Sequence, residues 1–597
     1  MCGIFGYIGK RNDAAKVVFE GLKRLEYRGY DSWGIVAKQE TRNRKQETGD
    51  LIIEKHVGKI SDSSLNSKLL TLSSRLAIGH TRWATHVGVT VANAHPHLDC
   101  SGKLALVHNG IVENYQKLRK SLGKKGHKFK SETDTEVVVH LVEEYAKRQS
   151  LKEAVRSAFQ DITGLNAFVF ISDKDQIFAV KSATPLVIGI GNGDNFISSD
   201  PNALLSYTKK AILLGDSQLA EISADNVRIT SLVTRKKIKP KVLNIDWKAE
   251  EIELGRFKHF MLKEIYEQPQ ILRNIAQNYT QQINQLCKII RQAHGIFLIG
   301  AGSAFHACLA GSYLFSKIAK EHVNTIVASE FNYLEDFLTK DSLIIALSQS
   351  GETIDIIEPL KRAKEKGSKI VAIVNNQGST IWQMADYKML LGAGPEIAVA
   401  STKAYIAKLA ILLLIVNGLI GKLENSQSLL MEAAAEVERL LNEENSTIEK
   451  ISRELAKHEH IFTLGRGLSF QSALEAALKM KEVSYIHTEG LAGGELKHGP
   501  IALISEGTPC VVFAPLDETY EAIISNAAEI KSRGGLIIGI GPIQESVFER
   551  WIKVKDLGVA SIIANVIPAQ LFGYYLALER KLDPDKPRNL AKSVTVK

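Results

Sequence analysis

The second residue of the chain is a cysteine, and removal of Met1 would leave its thiol and a free α-amino group on one residue. An α-amino group titrates near about 8 and a thiol near about 8.5, so at neutral pH the amine can take the thiol proton as a carbonyl is attacked. An incidental cysteine behind Met1 looks the same on position alone, and the surroundings argue for chemistry. Arg82 suits two-pronged capture of a carboxylate, in a run that also holds Trp83, Thr85 and His86. His108, Asn109 and Gly110 set a side-chain amide beside a glycine N–H that can be approached closely, which makes two donors for an oxyanion. Asp134, in SETDTE, suits a substrate ammonium group and equally suits the N-cap of a helix beginning near Glu136.

A second set of residues lies beyond position 290. The run SQSGET at 348–353 follows the apolar strand LIIAL and precedes a helical pattern, which collects hydroxyls and backbone N–H groups at a helix N-terminus. The hydroxyls of Ser348, Ser350 and Thr353, with Gln349 and Gly351, exceed what one cap requires and favour a phosphate. Glu475, Lys479 and Glu482 fall at i, i+4 and i+7, on one face of a helix. A surface salt-bridge ladder is the alternative, but the loop that follows, HTEGLAGGELKHGP, is rich in glycine and ionisable groups, as suits a site. The turn Gly300 to Gly302 lacks the last glycine of a dinucleotide fingerprint and a matching acid, so NAD is not expected. His80, His86, His95, His97 and His108 crowd together without a repeated ligand spacing, so packing explains most of them and no metal is expected.

The elements that must position these residues divide the chain. The first 230 or so residues carry short β-branched and aromatic runs, with helices predicted near 14–25 and 136–148, an α+β pattern. Periodicity fades over 235–253, and helical spacing returns over 257–268, before Pro269. Beyond this, HGIFLIGAGSAFHACLAGSYL from His294 is repeated as HEHIFTLGRGLSFQSALEAAL from His458. Each copy reads as strand, glycine turn and helix, followed by further alternation, which predicts two α/β domains with parallel sheets. The expected boundaries are 2–230, a linker and connecting helix at 231–275, domains at 276–425 and 450–587, and a tail at 588–597. The apolar run 409–416 is too short to span a membrane. Polar residues and Pro568 interrupt 557–578, which is read as a buried strand and then a helix, so no membrane association is expected.

Composition sets the remaining limits. With 45% hydrophobic and 24% charged residues over 597 positions, the chain can build several cores, which excludes disordered and disulfide-scaffold classes. A net charge of +9 is a mild excess, and the densest basic run, TRKKIKPK at 234–241, reads as a solvated surface, so nucleic acid is not an expected partner. Five scattered cysteines without a C-x-x-C pair, and a start without a basic n-region, predict a cytoplasmic protein.

The segments MCGIFGYIG, LEYRGYDS, GHTRWATH, NAHPH, HNGIVEN and SETDTE occur in the order found in class II glutamine amidotransferases, and the chain resembles that family. The resemblance implies an α+β N-terminal nucleophile hydrolase domain with sandwiched antiparallel sheets. It implies Cys2 as the nucleophile that forms a γ-glutamyl thioester, and Asn109 and Gly110 as the oxyanion hole. Arg82, Thr85, His86, Gly110 and Asp134 would bind glutamine, while Arg28 and Trp83 would order and gate the site. Val87 stands where the family pattern has Gly, and Trp33 where it has a small residue, changes that remove no reacting group.

ASTKAY at Ala400 to Tyr405, EAALKMKEVSYIHTEG, GELKHGP and PRNLAKSVTVK resemble the two sugar isomerase (SIS) domains of the isomerising glutamine:fructose-6-phosphate aminotransferase family, and the match covers nearly the whole chain. The resemblance implies amide nitrogen transfer from L-glutamine to D-fructose 6-phosphate, with ketose-to-aldose isomerisation and ammonia passed along a protected route. The products would be D-glucosamine 6-phosphate and L-glutamate, with no cofactor. Ser348, Gln349, Ser350 and Thr353 would hold the sugar phosphate, and Ser303, Val399 and Ser401 would line the sugar site. Glu482 would be the base with Lys479 balancing its charge, and Lys592 would engage the C2 carbonyl. His498 would open the sugar ring from a neighbouring subunit, which implies a homodimer. Ala304 stands where a serine is expected. A glutaminase with another acceptor, or a sugar-phosphate sensor, are the other readings. The duplicated repeat argues against the first, and the presence of Glu482, His498 and Lys592 together argues against the second.

Overall fold

The computed structural model describes residues 2–40, 50–63, 69–84, 87–182, 184–245 and 253–594. The chain divides into two compact units, Met1–Glu253 with the terminal segment Ala591–Lys597, and Leu254–Leu590.

In the first unit the β-branched runs build two antiparallel sheets, of eight and seven strands. Gly3–Gly9 lies inside the eight-stranded sheet, between Asp194–Ser198 and Leu76–Arg82. Its side chains alternate between two cores. Ile4 and Ile8 pack against Val107, Val169 and Ile171 of the seven-stranded sheet, whereas Phe5 and Tyr7 pack with helix Ala14–Lys23. Burial on both faces explains an apolar run too continuous for a half-exposed strand. Helices Asp134–Ala146 and Leu151–Asp161 cover the outer face of the seven-stranded sheet, giving helix, sheet, sheet and helix layers.

The first domain extends past the boundary expected at 230. Lys237–Ile238 pairs with Val227–Ser231 at one sheet edge, and Val242–Asn244 pairs with Lys210–Leu213 at an edge of the other. The expected linker 231–275 therefore begins inside the sheets. These strands are short, and lysines surround the first of them, which guards an exposed edge but erases the apolar period by which a strand is recognised.

The second unit opens with helix Phe260–Asn278, which runs straight through Pro269 rather than stopping before it. Proline cannot donate to the carbonyl four residues back. The Gln268 side chain does so instead, with Nε2 donating to Ile265 O at 3.1 Å and to Gln570 Oε1 at 2.6 Å. Two parallel five-stranded sheets follow. One is ordered Asn324–Val327, Ile296–Gly300, Leu343–Ser348, Lys369–Val374, Tyr387–Leu390, and the other His487–Ala492, His460–Gly465, Pro509–Phe513, Leu536–Gly541, Arg550–Lys553. The sequence repeat is thus a repeat of topology. In each copy the strand order reverses beside the first strand, and ligands of open α/β sheets bind outside the strand C-termini at such a reversal. Gly302 and Gly467 cap the equivalent helices with φ of +55° and +53°, a conformation that favours glycine.

Helix Lys403–Leu419 is buried nearly throughout, which accounts for the run 409–416. The expectation of a strand in 557–578 is corrected: Gly558–Ala560, Ser561–Ala564 and Val566–Glu579 are all helical, with Pro568 in the first turn of the last. Gly558–Glu579 is long and apolar enough to span a membrane, but 89% of its apolar window is buried inside the unit. A helix surrounded by other helices shows no polar face, so periodicity could not separate it from a strand.

Candidate active sites

Cys2 leads into the central strand Gly3–Gly9, and Leu76–Arg82 delivers Trp83 beside it. The Trp83 backbone N–H donates to Cys2 Sγ at 3.3 Å, and the thiol donates to Trp83 O at 3.6 Å. Asn109 ends the facing strand Leu104–Gly110, and its Nδ2 donates to Cys2 O at 3.0 Å. The ring of His80 holds that amide in place, with Nε2 3.1 Å from Asn109 Oδ1. Gly110 has φ of +129°, and a Cβ there would fall 2.2 Å from Leu165 O, so the position admits only glycine. The amide and glycine donors expected of an oxyanion hole therefore sit side by side at the end of one strand.

Helix Asp134–Ala146 is capped by Thr133, whose hydroxyl accepts from Glu136 N, so the capping alternative for Asp134 falls away. Asp134 instead accepts from Val112 N at 2.7 Å, just past Gly110. Arg82 is buried, with long bonds of 3.4 Å to Gly88 O and Val87 O. Burial lowers its pKa from the usual value, against the charges of Cys2, Asp134 and Asp31. Arg28 is anchored to Asp200 Oδ2 at 2.5 Å, and Tyr27 donates to the same oxygen at 2.6 Å. Trp33 is a core residue, stacked on His56 and set edge-on to Phe19. Thr85 and His86 lie outside the described residues.

The histidine crowd is a packed stack. His80 and His95 lie 4.2 Å apart ring to ring, and His95 and His97 5.0 Å. Burial holds His80 down to about 3, and His95 and His97 well below their ordinary value. The unfolded chain frees them to titrate near about 6.5 and so takes up protons that the folded unit refuses. The first unit is therefore expected to keep its full stability above about pH 6.5 and to lose it steadily as pH falls towards about 3. Denaturant midpoints followed by glutaminase activity across that range would show this, and a flat profile would contradict it.

In the second unit the hydroxyl-rich loop expected to hold a phosphate follows Leu343–Ser348 at the strand reversal. Ser348 Oγ accepts from Gly351 N at 3.0 Å, and Ser350 Oγ accepts from Glu352 N at 3.1 Å. Thr353 occupies the N-cap of Ile354–Glu365 without a side-chain capping bond, which leaves that helix end able to meet an anion. The backbone of Gln349 is tied to Asn375, its carbonyl accepting from Asn375 N at 3.1 Å. Ser401 donates to Glu396 Oε2 at 3.3 Å, and Val399 is nearly buried in the same loop.

The helix Leu468–Ser484 brings Glu475, Lys479 and Glu482 together as the spacing predicted, but the face is buried rather than a surface ladder. Lys479 pairs with Glu482 and lies 3.5 Å from Glu475. Burial pulls the Lys479 ammonium down, and the two carboxylates outweigh it, so its pKa ends above the usual value. The Glu482 side chain keeps 15% of its surface open, which leaves its carboxylate within reach of a small molecule. Glu475 is a hub that the sequence reading gave no role: it accepts from Ser303 Oγ at 2.9 Å and lies 2.7 Å from His306 Nδ1. The one available signal was that Ser303 and His306 share a helix face. His498 is exposed on the turn Glu495–His498 and is not brought to this cluster. Lys592 lies in the terminal segment that belongs with the first unit.

The SIS domain family matches residues 289–418 and again 454–580, and the glutamine amidotransferase domain family matches 80–206. The glutamine–fructose-6-phosphate aminotransferase (isomerizing) of Pyrococcus horikoshii is 41% identical over 609 residues, covering 100% of both chains. The chain belongs to this aminotransferase family. The Aquifex aeolicus aminotransferase is also 41% identical, over 603 residues with the same coverage. Among solved structures, the C-terminal domain of glucosamine-fructose-6-phosphate aminotransferase from Francisella tularensis matches with a TM-score of 0.53 and 31% identity, covering 56% of this chain and 99% of that one.

Membership in the aminotransferase family gives the Ala304 departure a measurable meaning. Ala304 follows Ser303 in the first turn of Ser303–Leu314 and is nearly buried. Ala304→Ser is expected to shift KM for the sugar phosphate while turnover persists, and an unaltered KM would count against a role for this position.

Proposed function

We propose that this chain makes D-glucosamine 6-phosphate and L-glutamate from L-glutamine and D-fructose 6-phosphate, with Cys2 and the Glu475–Lys479–Glu482 face carrying the two half-reactions. The Cys2 thiolate adds to the glutamine side-chain carbonyl, and the oxyanion that forms meets Asn109 Nδ2 and the Gly110 N–H. Ammonia leaves, and water hydrolyses the thioester to glutamate. Arg82 and Asp134 hold the carboxylate and ammonium of the substrate, joined by Thr85 and His86. The released ammonia condenses with the sugar carbonyl, which Lys592 engages. Glu482 carries a proton between C1 and C2, and buried Lys479 holds its charge in place. Ser348, Gln349, Ser350 and Thr353 anchor the phosphate, while Ser303, Val399 and Ser401 line the sugar.

One observation carries this reading: a single chain holds a thiol beside an amide–glycine donor pair and also a hydroxyl-rich loop at a helix start and a buried acid–base helix face. A sensor needs only the loop. The exposure of His498 supports its service to the site of a second copy, in a homodimer. All five cysteines are free, which fits a reducing cytoplasm. The test is incubation of the purified protein with glutamine and fructose 6-phosphate, following glutamate and hexosamine phosphate together. Equal amounts of both support the coupled reaction, whereas glutamate alone would assign another acceptor.

A further inference from the structure

Four side chains from three segments of the first unit converge on one point. Cys100 follows the short strand His97–Leu98, His127 lies in the turn after helix Tyr115–Lys124, and His140 and Glu143 sit one turn apart on Asp134–Ala146. One ligand atom from each lies within 4.8 Å of the other three. Cys100 Sγ is 3.5 Å from His140 Nδ1 and 3.6 Å from His127 Nδ1. Glu143 Oε2 is 3.0 Å from His140 Nδ1 and 3.1 Å from His127 Nδ1, and it also accepts from Cys100 N at 3.1 Å. A tetrahedral zinc ion with bonds of about 2.0–2.3 Å holds its donors about 3.3–3.7 Å apart. The sulfur–nitrogen edges already match that figure, and the nitrogen–oxygen edges need open only slightly.

The outer nitrogens decide how the rings are oriented. His127 Nε2 lies 3.1 Å from Glu144 Oε2, and His140 Nε2 lies 3.8 Å from Glu136 Oε1. At His127 the outer carboxylate draws the ring proton to Nε2 and leaves the Nδ1 lone pair facing inward, as in metal-bound histidines, whereas His140 Nε2 is buried beyond hydrogen-bond reach of Glu136. Hydrogen bonding alone serves the cluster less well. Without an ion, the inner nitrogens of two buried rings with centroids 5.3 Å apart must share one Glu143 oxygen and the Cys100 sulfur. A cation at the centre resolves that conflict, because the thiolate and Glu143 together balance a double positive charge.

We propose that Cys100, His127, His140 and Glu143 bind one zinc ion. Thiolate and imidazole donors select zinc over magnesium or calcium, and four protein ligands leave no open position, which makes the site structural rather than catalytic. Both rings are buried while Cys100 reaches solvent, so an ion can arrive from outside. The ion would clamp three segments around the helix whose first residue is Asp134. The expectation of no metal rested on five other histidines, none of which belongs to this group.

The test uses the full-length protein stripped with a chelator and titrated with cobalt(II), then with zinc. The expected result is a near-ultraviolet thiolate charge-transfer band with the visible bands of a tetrahedral ion, saturating at about one equivalent and bleached by zinc. Cys100→Ser should lose the charge-transfer band, which separates this site from adventitious binding at Cys2. Glu144→Gln, which touches only an outer carboxylate and leaves all four ligands intact, should weaken the metal by about tenfold or more. The absence of a thiolate band in the parent protein, or its persistence in Cys100→Ser, would overturn the proposal.

Discussion

Cys2→Ala is expected to lower glutamine hydrolysis by a factor of about 10³ or more, because it removes the thiol that stands beside the Asn109 and Gly110 donors. The Asn109 and Gly110 donors survive the change, but with no nucleophile there is no oxyanion for them to stabilise. Isomerisation of fructose 6-phosphate should persist, since the phosphate loop and the Glu482 face belong wholly to the other unit. Glutamate release and sugar isomerisation, measured on the same preparation, check both halves. Hydrolysis within about tenfold of the parent would place the nucleophile elsewhere.

Glu482→Gln should have the mirror effect, cutting hexosamine phosphate formation by about 10²–10⁴-fold while glutamine hydrolysis continues. Glutamine keeps the shape of the side chain but cannot carry the proton between C1 and C2. Lys479 retains Glu475 at 3.5 Å, so the buried ammonium is not stranded and the fold should hold. KM for the sugar should change little, because the loop proposed to hold the phosphate, 348–353, is left intact. A split of this kind, with kcat lost and KM kept, is the signature of a residue engaged in the transition state. Unimpaired synthesis by the variant would move the base to another residue.

The parts of these sites that sequence disclosed are those whose geometry is local. The run SQSGET sits on one turn between a strand and a helix, and Glu475, Lys479 and Glu482 declare their shared face by spacing alone. The pairings that complete the sites are long-range and leave no such trace. Arg28 meets Asp200 across the fold, His80 holds Asn109 from a strand of the other sheet, and Ser303 and Glu475 come from different copies of the repeat. The same limit hid the convergence of Cys100 and His127 on one turn of helix. At the level of elements, sequence missed what tertiary packing overrides: short lysine-flanked edge strands, a proline whose lost bond is made by its neighbour, and a helix with no polar face.

The two parallel sheets share a strand order but not the loop that follows their third-ranked strand. In the first copy that loop gathers hydroxyls at a helix end. In the second, after Pro509–Phe513, it reads Ala514, Pro515, Leu516, Asp517, and Asp517 Oδ1 accepts from Thr519 N at 2.8 Å and from Thr519 Oγ1 at 2.6 Å. A carboxylate of the chain itself thus stands at the start of helix Tyr520–Lys531, where the other copy would receive an anion. Asp517 sets a fixed negative charge beside the start of that helix in the duplicate. One strand order therefore presents different chemistry in the two copies: hydroxyls after Leu343–Ser348 in the first, and in the second a carboxylate after Pro509–Phe513 together with the buried Glu475–Lys479–Glu482 face.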